Sequence, residues 1–173
     1  MKIGVLFCAL TGLAIGSVLA VPPSAAVERL LGQYFIIQKS LALDSMQGVS
    51  TSVAEIAKIS RQAGQAEPQA KTQLIAIADA AAKFNSVDLK SARGGFGDLS
   101  DTMIAYLKAS GAKTNPPYQV YCPMVKKNWL QPDKAIHNPY YGKEMPTCGQ
   151  LVNAGKTAEQ PMGQMDMPRE HYR

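Results

Sequence analysis

The stretch Asp88-Leu89-Lys90-Ser91-Ala92-Arg93-Gly94-Gly95-Phe96-Gly97-Asp98-Leu99-Ser100-Asp101-Thr102-Met103-Ile104-Ala105-Tyr106-Leu107-Lys108-Ala109-Ser110-Gly111 decides the fold. Asp88 is a good N-cap, because a carboxylate accepts from an otherwise orphan N–H of the first helical turn. Gly111 is the residue type that most readily takes the left-handed conformation ending a helix. Between them Leu89, Ala92, Phe96, Leu99, Met103, Tyr106 and Leu107 recur at the spacing of one helical face. Gly94, Gly95 and Gly97 in the first half predict a kink or a tight crossing. A helix with one apolar face must bury it against another element, so the rest of the chain has to supply partners.

Three such partners precede it. From Ser24 to about Leu43 the positions Val27, Leu30, Leu31, Tyr34, Phe35 and Leu41 share a face that only Gln38 interrupts, and Ser24 can cap it after Pro22-Pro23. A second segment carries Met46, Val49, Val53, Ile56 and Ile59 or Ser60 before Gly64. Gly48, Ser50, Thr51 and Ser52 lower its intrinsic helicity, by up to about 1 kcal/mol at the glycine, so packing must hold it. A third begins near Pro68, a residue tolerated in a first turn, and runs through Leu74, Ile77, Ala78, Ala81 and Phe84 to the break at Asn85-Ser86. Four amphipathic segments on short links, with no alternating apolar run between them, predict an all-α fold: an up-and-down four-helix bundle over residues 21–114.

The character then changes to prolines, aromatics and sulfur, with Tyr118, Tyr121, Trp129, Tyr140 and Tyr141 close together. Leaving such side chains in water costs roughly 1.5–3 kcal/mol each, so residues 115–152 are expected to fold back on the bundle as an irregular cap of the same domain. Residues 153–173 are polar and are expected to be a flexible tail. At the other end, Lys2, the apolar run Ile3 to Ile15 and the small residues Ser17-Val18-Leu19-Ala20 predict a signal peptide over residues 1–20, cleaved after Ala20. The run is shorter than the roughly 20 residues that span a bilayer, so no stable membrane insertion is expected after cleavage. The expected location is the periplasm or the exterior, and Cys8 leaves with the signal peptide.

Lys and Arg number 18 against 13 Asp and Glu, but the cations are scattered rather than gathered into a stripe, which argues against nucleic-acid binding. Haem attachment motifs, nucleophile elbows, zinc-protease motifs and phosphate-cradling glycine loops are absent from the sequence, so no enzymatic activity is expected. The candidate chemistry is sulfur. Cys122 and Cys148, the two cysteines of the mature chain, have Met124 two residues after the first and Met145 three residues before the second. Two thiolates and two thioethers suit copper(I) or silver(I), whereas structural zinc wants four Cys or His ligands at close paired spacings. The alternative is a Cys122–Cys148 disulfide, closing a loop of about 25 residues and stabilising the fold by roughly 3 kcal/mol, within a protein-interaction module that holds no metal. Weaker ligand candidates are His137 and, in the tail, Met162, Met165, Met167 and His171.

Tyr121-Cys122-Pro123-Met124, Trp129-Leu130, Asp133, Ile136 and Asn138-Pro139-Tyr140-Tyr141-Gly142 through Met145 and Cys148-Gly149 together resemble the C-terminal motif of a family of exported bacterial helical-bundle domains. That family has no settled function and occurs alone or attached to the adaptor (membrane fusion) subunits of copper and silver efflux systems. Arg93, Phe96, Leu99 and Ser100 are similar to its Arg-x-x-Phe-x-x-Leu-Ser spacing in the last bundle helix. The resemblance implies a soft-metal role, with Cys122, Met124, Met145 and Cys148 holding the ion and an efflux adaptor as partner. Where the family more often has Arg, this chain has His137, and the methionine tail lies outside the motif.

Overall fold

The computed structural model describes residues 23–111 and 117–152; the expected signal peptide and tail, with Met162, Met165, Met167 and His171, lie outside the described residues. Four helices, α1 (Pro23–Ala42), α2 (Val49–Ala66), α3 (Lys71–Lys83) and α4 (Leu89–Ser110), pack in chain order, and α4 returns to contact α1. The ends of α4 follow from its caps: Asp88 accepts from Ser91 N–H at 2.7 Å, and Gly111 takes a left-handed φ of 61°. A single 3-10 turn, Pro68–Ala70, starts the segment that becomes α3. Helix α2 runs through Gly64, whose missing side chain lets Leu74 of α3 approach; a Cβ there would stand 3.6 Å from Leu74 Cβ.

The three glycines of α4 leave the helix continuous, and two of them, Gly95 and Gly97, serve close approach. A Cβ on Gly95 would lie 3.1 Å from the Phe84 ring, and one on Gly97 would touch the aliphatic stem of Lys127. The second contact matters for the architecture, because Lys127 belongs to a strand.

The expectation of an all-α fold is overturned here. The chain after α4 forms a three-stranded antiparallel sheet in the order β2–β1–β3, with β1 at Tyr118–Cys122, β2 at Lys127–Gln131 and β3 at Gln150–Leu151. In β1 the inward residues Val120 and Cys122 alternate with partly exposed ones, the period-2 pattern of a half-buried strand. The turn Pro123–Lys126 reverses the chain, Lys126 taking a left-handed φ of 53°, and Cys122 pairs with Lys127. In β2 three successive residues, Trp129, Leu130 and Gln131, are buried, because the strand has β1 beside it and both α1 and α4 packed against it. The fold is therefore a helical bundle with a small sheet laid on α1 and α4.

The joint between sheet and bundle is aromatic with a polar relay inside it. Tyr34 stacks on Phe96 at 5.0 Å between ring centroids, Phe96 meets Tyr140 at 5.8 Å, and Tyr140 meets Trp129 edge-on at 5.9 Å. Ser100 Oγ donates to Phe96 O at 2.7 Å, so its proton is spent and Tyr34 O–H is the donor in the 2.6 Å bond between the two hydroxyls. Leu130 N–H of β2 in turn donates to the Tyr34 oxygen at 3.1 Å. Burial pushes the Tyr34 phenol far above its ordinary range, which keeps the proton that the relay needs. Phe96, Leu99 and Ser100, three residues of the quoted α4 spacing, are thus all fully buried at this joint.

Candidate functional site

Cys122 ends β1 with no exposed surface. The β1–β3 pairing matches Val120 with Leu151 and Tyr121 with Gln150. Extended by one residue, that register opposes Cys122 to Gly149 and leaves Cys148 beside it. Both thiols are free, and the Cys148 thiol is pushed above its ordinary range first by burial and then by the nearby Cys122. The approach requires a glycine at 149, since a Cβ there would meet Trp129 Cη2 at 2.6 Å and Val120 Cγ1 at 2.8 Å.

One buried side chain organises the pair. Asn138 donates from Nδ2 to Cys148 O at 2.7 Å and stands 3.6 Å from Cys122 Sγ as a weak donor to the sulfur. Its Oδ1 accepts from the N–H groups of Tyr140 at 2.8 Å and Tyr141 at 3.2 Å. The backbone of Asn138 is tied as well, donating to Pro146 O and accepting from Gly142 N–H. All four side-chain sites of the amide are used, which is how a polar group is kept in a core.

The loop that carries Asn138 is anchored to the bundle at two points. Gln38 is nearly buried, and its Nε2 donates to His137 O at 2.7 Å, so the residue that interrupts the apolar face of α1 is the one that reaches the loop. Arg93 of α4 donates to Pro139 O at 3.1 Å, to Leu41 O at 3.2 Å and to the Asp44 carboxylate at 2.5 Å, holding that carboxyl below its usual range. Gly142, with φ 56°, sits directly on the pair; a Cβ there would collide with both Asp44 Oδ1 and Arg93 Nη2. A second buried amide, Gln131, accepts from Trp129 Nε1–H and His137 N–H and donates to Asp133 O and Ala135 O.

The remaining sulfur and imidazole candidates lie less centrally. Met124 is in the β1–β2 turn and 55% exposed. Met145 is partly buried and opens the short turn that Cys148 N–H closes by donating to Met145 O at 3.2 Å. The His137 side chain is 58% exposed, its Nε2 3.9 Å from Asp133 Oδ1. Among the described residues no group of three or more His, Cys, Asp or Glu side chains converges. The donor set that does converge is two thiols, sufficient for a two-coordinate soft cation and too few for zinc. Gln131 carries no signal of its own in the sequence, where a buried amide looks like any surface amide; Gln38 shows only as a break in an apolar face and Asn138 only as one letter of the quoted motif. No protein-family model, curated protein or solved structure matches the chain.

Proposed function

We propose that this protein binds copper(I) or silver(I) through the thiolates of Cys122 and Cys148 and acts as an exported buffer or carrier that hands the ion to an efflux adaptor. The observation that carries the reading is the placement of both cysteines around the Asn138 amide, whose Nδ2 stands 3.6 Å from Cys122 Sγ and donates to Cys148 O at 2.7 Å. Soft monovalent ions accept two thiolate ligands, and an N–H directed at sulfur favours the thiolate over the thiol. Met145, three residues from Cys148, is the nearer thioether in sequence to that thiol; Met124 stands at the surface, where it can meet an ion first. The motif resemblance to domains of copper and silver efflux systems supports the same choice. Binding must displace the thiol protons, so affinity rises with pH, and the raised Cys148 keeps it rising beyond the point where an ordinary thiol levels off.

Titration of the reduced protein with copper(I) against a chromophoric chelator tests the proposal. One ion bound tightly is expected, with uptake abolished in Cys122→Ser and Cys148→Ser; unchanged uptake in those variants would sink it. A chain ending at Asn153 separates any contribution of Met162, Met165, Met167 and His171. The same placement favours a second reading, an interaction module stapled by a Cys122–Cys148 disulfide. Counting thiols under denaturing, non-reducing conditions in freshly isolated protein discriminates: two free thiols favour the metal site, and none favours the staple.

A further inference from the structure

A cleft of about 480 Å³ opens between the C-terminal half of α1 and the loops that follow β2, within the roughly 300–1,000 Å³ range of small-molecule sites. Phe35, Ala42, Leu43 and Pro146 give it apolar walls, and Leu43 is 52% exposed there, an apolar side chain left to water. Lys39 and Lys143 stand on its rim, and neither ammonium forms an ion pair among the described residues. Asp133 and His137 also line it, 3.9 Å apart, so the lining carries two lysines against one carboxylate. Gln38 also lines the cleft, 3% exposed as a residue; its Nε2 donates to His137 O, and its Oε1 has no protein hydrogen-bond partner among the described residues. That oxygen is open to solvent, and a ligand donor entering the cleft can replace the water it meets.

We infer that this cleft binds a small organic carboxylate with an apolar, ring-sized body and an N–H or O–H donor: the body against Phe35 and Leu43, the carboxylate toward Lys39 and Lys143, and the donor to Gln38 Oε1. The assignment does not use the cysteine pair: neither Cys122 nor Cys148 lines the cleft, and the ligand class differs. Lysine ammonium groups select the anion, and the unpaired amide oxygen selects among anions by hydrogen bonding.

Amide-resolved NMR titration of the reduced protein with indole-3-acetate tests the inference, with indole-3-acetamide as the neutral analogue and 1-methylindole-3-acetate as the analogue without a donor. Saturable shifts are expected at Lys39, Leu43, His137 and Lys143, with each analogue about five-fold weaker, the scale of one exposed charge pair or one hydrogen bond. Both lysines are exposed, so the double variant Lys39→Gln with Lys143→Gln folds, and it should bind acetate and acetamide equally. Equal binding of the two probes by the unaltered protein, saturation at another surface, or no saturable shift at millimolar probe overturns the inference.

Discussion

Asn138 donates from Nδ2 to the main-chain oxygen of Cys148 at 2.7 Å, so a single buried amide fixes the backbone of the more accessible of the two thiols. Asn138→Ala removes that bond and leaves the N–H groups of Tyr140 and Tyr141 without acceptors. Each buried group stranded in this way costs roughly 1–3 kcal/mol, so urea denaturation should show a loss of at least about 2 kcal/mol. Alkylation of native protein, read by peptide mass, should then reach Cys122, which is fully buried in the unaltered chain.

Tyr34→Phe keeps the ring stack with Phe96 and deletes the middle of the relay from Leu130 to Ser100. A destabilisation of roughly 1–3 kcal/mol is expected from the stranded Leu130 N–H. Amide hydrogen exchange should accelerate at Leu130 more than at Val120, which lies in the central strand. Equal acceleration at both would mean that the phenol has no local role.

Gly149→Ala inserts a methyl group where Trp129 and Val120 already stand within 3 Å of the position it would take. Trp129 is fully buried and cannot swing into solvent, so the segment carrying residue 149 must move. Overpacking of this kind costs about 1–3 kcal/mol. Near-ultraviolet circular dichroism of the one tryptophan should change along with the unfolding midpoint.

Arg93 holds the Asp44 carboxyl below its ordinary range, chiefly through the hydrogen bond between them. Because the folded value lies below the unfolded one, the pair's contribution is fully present above the ordinary carboxylate range and is lost as pH falls through the depressed folded value. Asp44→Asn, a residue that also tolerates the left-handed φ of 55° found here, should lower the melting temperature at neutral pH. The difference from the unaltered protein should shrink as the solution is acidified below about pH 4. A difference constant with pH would assign the effect to something other than the carboxylate.

The helices were legible because their signals are local. Asp88 and Gly111 mark the ends of α4 within the chain itself, and the apolar face between them repeats at helical spacing. The sheet was not, for reasons that differ by strand. The inward pair of β1, Val120 and Cys122, is short and ends in Pro123 and Met124, so its alternation is hidden in a segment rich in sulfur and proline. β2 buries three residues in succession and thus has no alternation to read, and the two residues of β3 are strand only because β1 lies beside them. At the candidate site the sequence brings the two cysteines into one segment, but their placement side by side depends on the β1–β3 register and on Asn138. Gln38 illustrates the limit best: as an interruption of an apolar face it looks like a defect in α1, and only the three-dimensional position of His137 O turns it into a tether.

The bond between Leu130 N–H and Tyr34 has a consequence for how this sheet meets other molecules. β2 and β3 are the outer strands, and outer strands invite a further chain to add on and propagate into aggregates. On the β2 side a donor that such a chain would need is already spent on a phenol of α1, and on the β3 side only Gln150 and Leu151 among the described residues are in strand geometry. The helical bundle therefore acts as a chaperone for its own sheet, with a phenol of α1 occupying the outer edge of β2.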